Sequence, residues 1–324
     1  MSLLEHRTVY KPFEYPWAFE YFQAQQKMHW IPEEVPLHED VKDWNLSLTP
    51  GERNLLTQIF RFFTTADTDV GEGYYDKIIP LFPKPELRMM MGSFANMEGV
   101  HQHAYSLLLD TVGMPESEYA AFSKFREMSA KHDYLKKFNP KTGSKRELAK
   151  TLAVYSAFTE GMQLFSTFAI LMSFSRYGKM KGMGQIVTWS LRDESLHCEG
   201  MIKVFRTFIE EHPRIWTDEF KREIYDIARS MVELEDQFID LAFAQGEVPG
   251  LKAEEVKAYI RYITDRRLNQ IGLKSNYNID QNPLEWVDWV VGGKEHANFF
   301  ETRPTEYSKG GLTGSWGDVW GSSE

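Results

Sequence analysis

The stretches Met97-Glu98-Gly99-Val100-His101-Gln102-His103-Ala104-Tyr105-Ser106 and Arg192-Asp193-Glu194-Ser195-Leu196-His197 each place a glutamate three residues before a histidine. No other of the nine histidines has a glutamate at that spacing. On a helix, residues three apart lie one turn apart on one face, so each pair presents a carboxylate and an imidazole side by side. The same faces are otherwise apolar. Phe94, Ala95, Tyr105 and Leu108 accompany the first pair, and Val187, Leu191 and Met201 the second.

Two further carboxylates lie upstream on apolar helical faces. Asp67 shares its face with Phe60, Phe63 and Thr64, and Glu160 shares its face with Ala153, Ala157, Leu164 and Phe168. Asp67 precedes Glu98 by 31 residues and Glu160 precedes Glu194 by 34, a faint internal duplication. Asp69 is the near alternative to Asp67; the register prefers Asp67, because a residue two further on points about 160° away. A carboxylate on an apolar face is costly unless its charge is compensated. Four brought together in a core would repel, and two divalent cations supply the matching charge. Two Glu-x-x-His pairs with two lone carboxylates, drawn from four helices, are the ligand set of ferritin-like two-metal proteins. The pattern predicts an all-α fold: a ferritin-like helical bundle with a dimetal carboxylate site in the core and a flexible C-terminal tail. The predicted ligands are Asp67, Glu98, His101, Glu160, Glu194 and His197. They would hold two metal ions per chain. Carboxylate and imidazole donors suit iron or manganese without choosing between them.

The remaining chain fits this plan. Helical periodicity predicts helices near Pro16–Lys27, from the Thr49-Pro50-Gly51-Glu52 start signal to about Val70, and over Pro85–Thr111, Ser144–Tyr177, Met183–His212, Asp218–Ala244 and Ala253–Gly272, with shorter helices over Ser117–Lys136. Pro32 and Pro36 mark a loop. No linker divides residues 1–297, which read as one helical domain, and Asn298–Glu324, rich in Gly, Ser and Thr, read as a flexible tail. The 324 residues are 42% apolar and 14% aromatic, enough for a large core. A net charge of −10 argues against binding nucleic acid or an anionic membrane. The single cysteine, Cys198, excludes an intrachain disulfide and is compatible with a reducing cytoplasm. Residues 1–15 lack an apolar signal core, and the apolar run Leu164–Phe174, flanked by Glu160 and Arg176, is too short to span a bilayer.

Tyr105 lies four residues after His101 and seven after Glu98, on their face. Beside an oxygen-activating metal pair a phenol can lose an electron and a proton. At these residues the chain resembles the small, radical-generating subunit of class I ribonucleotide reductase. The resemblance rests on Met97–Ser106 with Asp67 upstream, on Arg192–His197 with Glu160 upstream, and on Trp30-Ile31-Pro32-Glu33-Glu34-Val35, and covers roughly residues 10–307. It implies that the metal centre, with Tyr105 as radical site, stores an oxidising equivalent and passes it to a separate large catalytic subunit that reduces ribonucleotides. It implies a relay from His101 through Asp193 and Trp30 to Tyr307 in the tail. It also implies a homodimer, an activating reductase or flavoprotein as a further partner, and docking of the large subunit by the C-terminus, where Trp316-Gly317-Asp318-Val319-Trp320 is the candidate segment. Ser190, one turn before Glu194, departs from the apolar residue many members have beside the tyrosine. Some members store the equivalent on a manganese-containing centre with the phenol a bystander.

Two other functions are compatible with a dimetal bundle. A free-standing oxidase or hydroxylase would need an apolar channel to the metals and no use for Trp30, Asp193 or the tail. An iron-storage protein would accumulate mineral in a large shell. No Gly-rich phosphate loop occurs, so a nucleotide substrate would bind on the partner.

Overall fold

The computed structural model describes residues 2–118, 121–140, 144–244 and 250–288, apart from the side chains of residues 64–67, 116, 122 and 123. Tyr307 and the segment 298–324 therefore lie outside the described residues, as does the side chain of Asp67. Residues up to Leu284 form one compact unit. Among the described residues there is no strand, and no helix is long and apolar enough to cross a membrane.

Among the described residues ten α-helices carry the fold: α1 Pro16–Lys27, α2 His38–Lys42, α3 Pro50–Glu72, α4 Pro85–Thr111, α5 Arg126–Lys136, α6 Lys145–Ala153, α7 Leu164–Arg176, α8 Lys181–Glu211, α9 Asp218–Ala242 and α10 Ala253–Gln270. The start of α3 is a full capping box. Thr49 Oγ1 accepts from the Glu52 amide (3.2 Å) and Glu52 Oε2 accepts from the Thr49 amide (2.8 Å). Such a cap is worth about 1 kcal/mol. Helices α3 and α4 form an antiparallel hairpin. The Phe63 ring stacks on Tyr105 with centroids 4.2 Å apart. Farther along the hairpin, Gly71 faces Glu98 and Gln102.

Among the departures from the sequence expectation, two lie in the segments that position α8 and Glu160. The segment read as a loop around Pro36 contains α2 and a π-helical turn, Asp43–Ser47. They cap α8: Asp40 accepts from the amides of Gly182 (2.9 Å) and Met183 (2.8 Å), and Asp43 from that of Met180 (2.8 Å). A carboxylate there complements the positive end of the helix that carries Glu194 and His197. The helix expected over Ser144–Tyr177 is continuous in direction but not in type. Between α6 and α7 lies a ten-residue π-helix, Val154–Gln163, with Glu160 inside it. A π segment makes i→i+5 bonds and inserts an extra residue per turn, which a search for 3.6-residue periodicity reads as ordinary helix. Thr159 Oγ1 follows the wide turn by donating to the Val154 carbonyl five residues back (3.1 Å).

Candidate metal centre

Helix α4 supplies Glu98 and His101, α8 supplies Asp193, Glu194 and His197, the π-helix supplies Glu160, and Asp67 belongs to α3. Two glycines let these elements meet. A Cβ on Gly161, next to Glu160, would come within 2.7 Å of Cys198 Sγ, next to His197. A Cβ on Gly200 would come within 2.9 Å of the Phe94 ring, which packs on His197 with centroids 4.5 Å apart. The bare backbone of each is what lets α8 sit close enough for its imidazole to reach carboxylates on its neighbours. Arg267 Nε, from α10, donates to the Gly161 carbonyl (2.7 Å) and braces the π-helix from outside.

Glu98, Glu160, Glu194 and His197 are all buried, and each brings one ligand atom into a cluster whose atoms lie within 4.8 Å of one another, a group that could hold a metal ion. His101 joins them: its Nδ1 is 3.2 Å from Glu194 Oε1 and 3.8 Å from Glu98 Oε2. His197 Nδ1 is 3.1 Å from Glu98 Oε1, 3.7 Å from Glu194 Oε2 and 3.8 Å from Glu160 Oε1. Five of the six predicted ligands are thus brought together, and the side chain of the sixth, Asp67, lies outside the described residues.

The contents of this cage fit a metal pair. Both oxygens of Glu98, Oε2 of Glu160, Oε2 of Glu194 and Nδ1 of His197 are buried with no hydrogen-bond partner. Buried polar atoms normally find a partner, so several orphans converging on one space call for a cation. The imidazoles respond to the same field. Burial opposes a charged ring, yet Glu194 and Glu98 push His197 up to about 10. Burial likewise opposes charge on His101, and Asp193, Glu194 and Glu98 hold it well above the ordinary imidazole range. Burial and then the charge of Glu194 push Glu160 well above the usual carboxylate range. Without metal, protons do the neutralising; divalent ions can take their place.

Outside the cage runs a hydrogen-bonded arc. His101 Nε2 meets Asp193 Oδ2 at 3.2 Å, and Trp30 Nε1 donates to the same oxygen at 2.7 Å. Trp30 is buried, its ring tilted 28° from His101 with centroids 6.1 Å apart, and it also packs on Trp189. Gln25 extends the arc: its Nε2 donates to Asp193 Oδ1 (3.2 Å), and its Oε1 lies 3.1 Å from His197 Nε2. The arc fixes which ring nitrogen faces the cage. Each histidine spends Nε2–H outward, on Asp193 or Gln25, and turns Nδ1 toward the carboxylates. This is the outer support that fixes a metal-binding histidine. Gln25 has no signal in the sequence, since it is a neutral amide on α1, far along the chain from both Glu-x-x-His pairs. Tyr74 was also missed. Its hydroxyl donates to Glu160 Oε1 at 2.8 Å. Tyr105 donates to Ser190 Oγ at 3.5 Å and is buried against Phe63.

A family model for the ribonucleotide reductase small chain matches residues 7–283. The chain belongs to the ribonucleotide reductase small-chain family. It is 45% identical to a probable ribonucleoside-diphosphate reductase small subunit of Invertebrate iridescent virus 6, over 99% of each chain. It is 31% identical to the ribonucleoside-diphosphate reductase subunit beta of Chlamydia pneumoniae, covering 93% of this chain and 90% of that protein. The fold superimposes on the R2 subunit of Clostridium botulinum with a TM-score of 0.83 at 26% identity, over 90% of this chain and 94% of that one. It also matches Streptococcus sanguinis dimanganese(II)-NrdF in fold, with a TM-score of 0.74 at 21% identity, over 85% of this chain and 94% of that one. The small chain is thus a ferritin-like bundle whose function is that of the radical-generating subunit of the reductase, and the free-standing oxidase is set aside.

Proposed function

We propose that Asp67, Glu98, His101, Glu160, Glu194 and His197 hold two iron or manganese ions, and that the oxidising equivalent made there leaves through His101, Asp193 and Trp30 toward Tyr307 and the large subunit. When bound, the metal pair supplies the one-electron oxygen chemistry that such centres perform. The chain's own residues do the rest. Glu98 and Glu194 face both histidines. Asp193 carries negative charge: burial opposes it, but His101 holds the carboxyl below its usual range. It therefore accepts from Trp30 and His101 at once and keeps the indole and the imidazole in one contiguous path. The aromatic layer of Phe63, Phe94 and Phe168, each 2% exposed or less, excludes water from the site. The equivalent is stored on Tyr105 or on the metals. The partner reduces a ribonucleoside diphosphate, the substrate that the iridescent virus and Chlamydia relatives are named for. A cytoplasmic homodimer, activated by oxygen or through a flavoprotein reductase, completes the reading.

The observation that carries the relay is Trp30 Nε1–H on the oxygen of Asp193 that also meets His101. The test pairs electron paramagnetic resonance with turnover. Metal-loaded, oxidant-activated protein should give a tyrosyl or metal-centred signal. Trp30→Phe and Tyr307→Phe should each abolish deoxynucleotide formation with a large subunit while Tyr307→Phe keeps the signal. Full turnover in either variant would reject the path.

A further inference from the structure

We infer that Tyr74 is a positioning residue of the metal centre, its phenol holding Glu160 Oε1 and so fixing the orientation in which this carboxylate faces the cage. This rests on the metal-centre reading above and extends it to a residue which the six-ligand pattern does not contain.

Tyr74 lies seven residues after Asp67, as Tyr105 lies seven after Glu98. The carboxylate-to-tyrosine interval of seven, close to two α-helical turns, therefore recurs in the two stretches of sequence. The hairpin is antiparallel. Tyr105 meets Phe63, whereas Tyr74 meets Phe94, with ring centroids 6.4 Å apart. The two phenols therefore stand at opposite ends of the cage.

The hydroxyl of Tyr74 donates to a carboxylate of the cage at 2.8 Å. This is the one hydrogen bond of the Glu160 side chain among the described residues, and its Oε2 has none. The phenol thus holds Oε1, the oxygen that also lies 3.8 Å from His197 Nδ1, and with it the orientation of the whole carboxylate, while Oε2 keeps no hydrogen-bond partner. The ring itself is locked. It is 2% exposed, edge-on to Phe94 and edge-on to His197 at 6.5 Å and 83°. Tyr74 sits in a π-helical turn, Gly73–Ile78, that continues α3. Glu160 sits in the other long π segment. Two departures from α geometry therefore meet at this one hydrogen bond. A carboxylate in a widened turn needs an outside anchor to keep one orientation, and outer partners of this kind typically change metal affinity about 10–100-fold when removed.

Tyr74→Phe keeps the ring and its packing and deletes only the hydroxyl. The metal-free full chain would be titrated with Mn(II), reading stoichiometry and affinity by calorimetry and the spectrum of the bound ions by paramagnetic resonance. Wild type should take up two ions per chain. Tyr74→Phe should bind at least one of them about 10-fold more weakly or worse, with an altered spectrum. Unchanged affinities and spectrum, with only a lowered melting temperature, would mean a structural tyrosine and overturn the inference. Failure of wild type to bind two ions would instead refute the metal-centre reading. If Tyr74→Phe does not fold, a crystal structure of Mn-loaded wild type decides. The phenol should lie within hydrogen-bond distance of a Glu160 oxygen, and a separation beyond about 3.5 Å would overturn the proposal.

Discussion

Replacing Asp193 by Asn tests the arc that orients both histidines. Asp193 is fully buried and accepts from three donors: Trp30 (2.7 Å) and His101 (3.2 Å) at Oδ2, and Gln25 (3.2 Å) at Oδ1. An amide has one acceptor oxygen, which must go to the side with two donors. Its NH2 then faces the NH2 of Gln25. Gln25 can stay, leaving two buried donors opposed, or turn over and present its NH2 to His197 Nε2. The second choice forces the His197 proton onto Nδ1, the atom that faces Glu98 at 3.1 Å, and a protonated Nδ1 is no metal ligand. Leaving a buried donor unsatisfied costs about 1–3 kcal/mol. Metal-loaded Asp193→Asn should therefore unfold about 1–3 kcal/mol more easily in urea. If Gln25 turns over in the metal-free protein, the same cost appears as metal affinity about 10–100-fold weaker. Adding Gln25→Glu should recover most of the loss, because a carboxylate there accepts from both the introduced side-chain amide and His197. The assay is urea unfolding with and without metal, together with Mn(II) titration, on both single variants and the double variant. Asp193→Asn within about 0.5 kcal/mol of wild type, the scatter of a neutral surface change, with unchanged metal affinity, would refute the arc.

Gly161→Ala should destabilise the fold by about 1–3 kcal/mol through overpacking. Its Cβ would sit 2.7 Å from Cys198 Sγ and 2.8 Å from both Arg267 Nε and the Ser156 carbonyl, and calorimetric melting reads the effect. Glu52→Gln should cost about 1 kcal/mol at neutral pH, a charge-assisted bond discounted for the partial exposure of Lys179, whose Nζ is 2.7 and 2.8 Å from the two Glu52 oxygens. Burial opposes charge on Glu52, but Lys179 and Thr49 hold its carboxyl below the ordinary 4.5, so the contribution is complete above that pH. It drains away as pH falls through the lowered folded value, and variant and wild-type unfolding curves should converge in acid. Loading Mn(II) to 100 times its dissociation constant should stabilise the chain by about 2.7 kcal/mol for each ion bound, and a chelator should reverse the shift in melting temperature.

The parts of the site visible in the sequence are those with local spacing. Glu98 with His101 and Glu194 with His197 declare themselves by an interval of three, and Glu160 by standing alone on an apolar face. The helix starts at Pro16, Pro50 and Pro85 agree with the structure because proline at the first turn and the Thr49 cap are local signals. The π-helix around Glu160 was hidden because its apolar residues continue the helical pattern on both sides. What widens the turn there is tertiary: Arg267 on the Gly161 carbonyl, and the approach of Cys198. Gln25 was invisible for a related reason. It is 168 residues from Asp193 and 172 from His197, and a neutral amide carries no mark of the two charged partners it joins. Helix α2 was missed because Pro36 and a five-residue length suppress periodicity, although Asp40 and Asp43 were available as cap residues for α8. Tyr74 alone could have been found earlier, by applying to Asp67 the seven-residue interval that singled out Tyr105.

Anomalous diffraction from crystals of the full chain loaded with Mn(II) tests the metal cage most directly. The account predicts two peaks per chain, both enclosed by Asp67, Glu98, His101, Glu160, Glu194 and His197. A chain whose only peaks lie elsewhere, with those six side chains bonded to one another and to no ion, would contradict it.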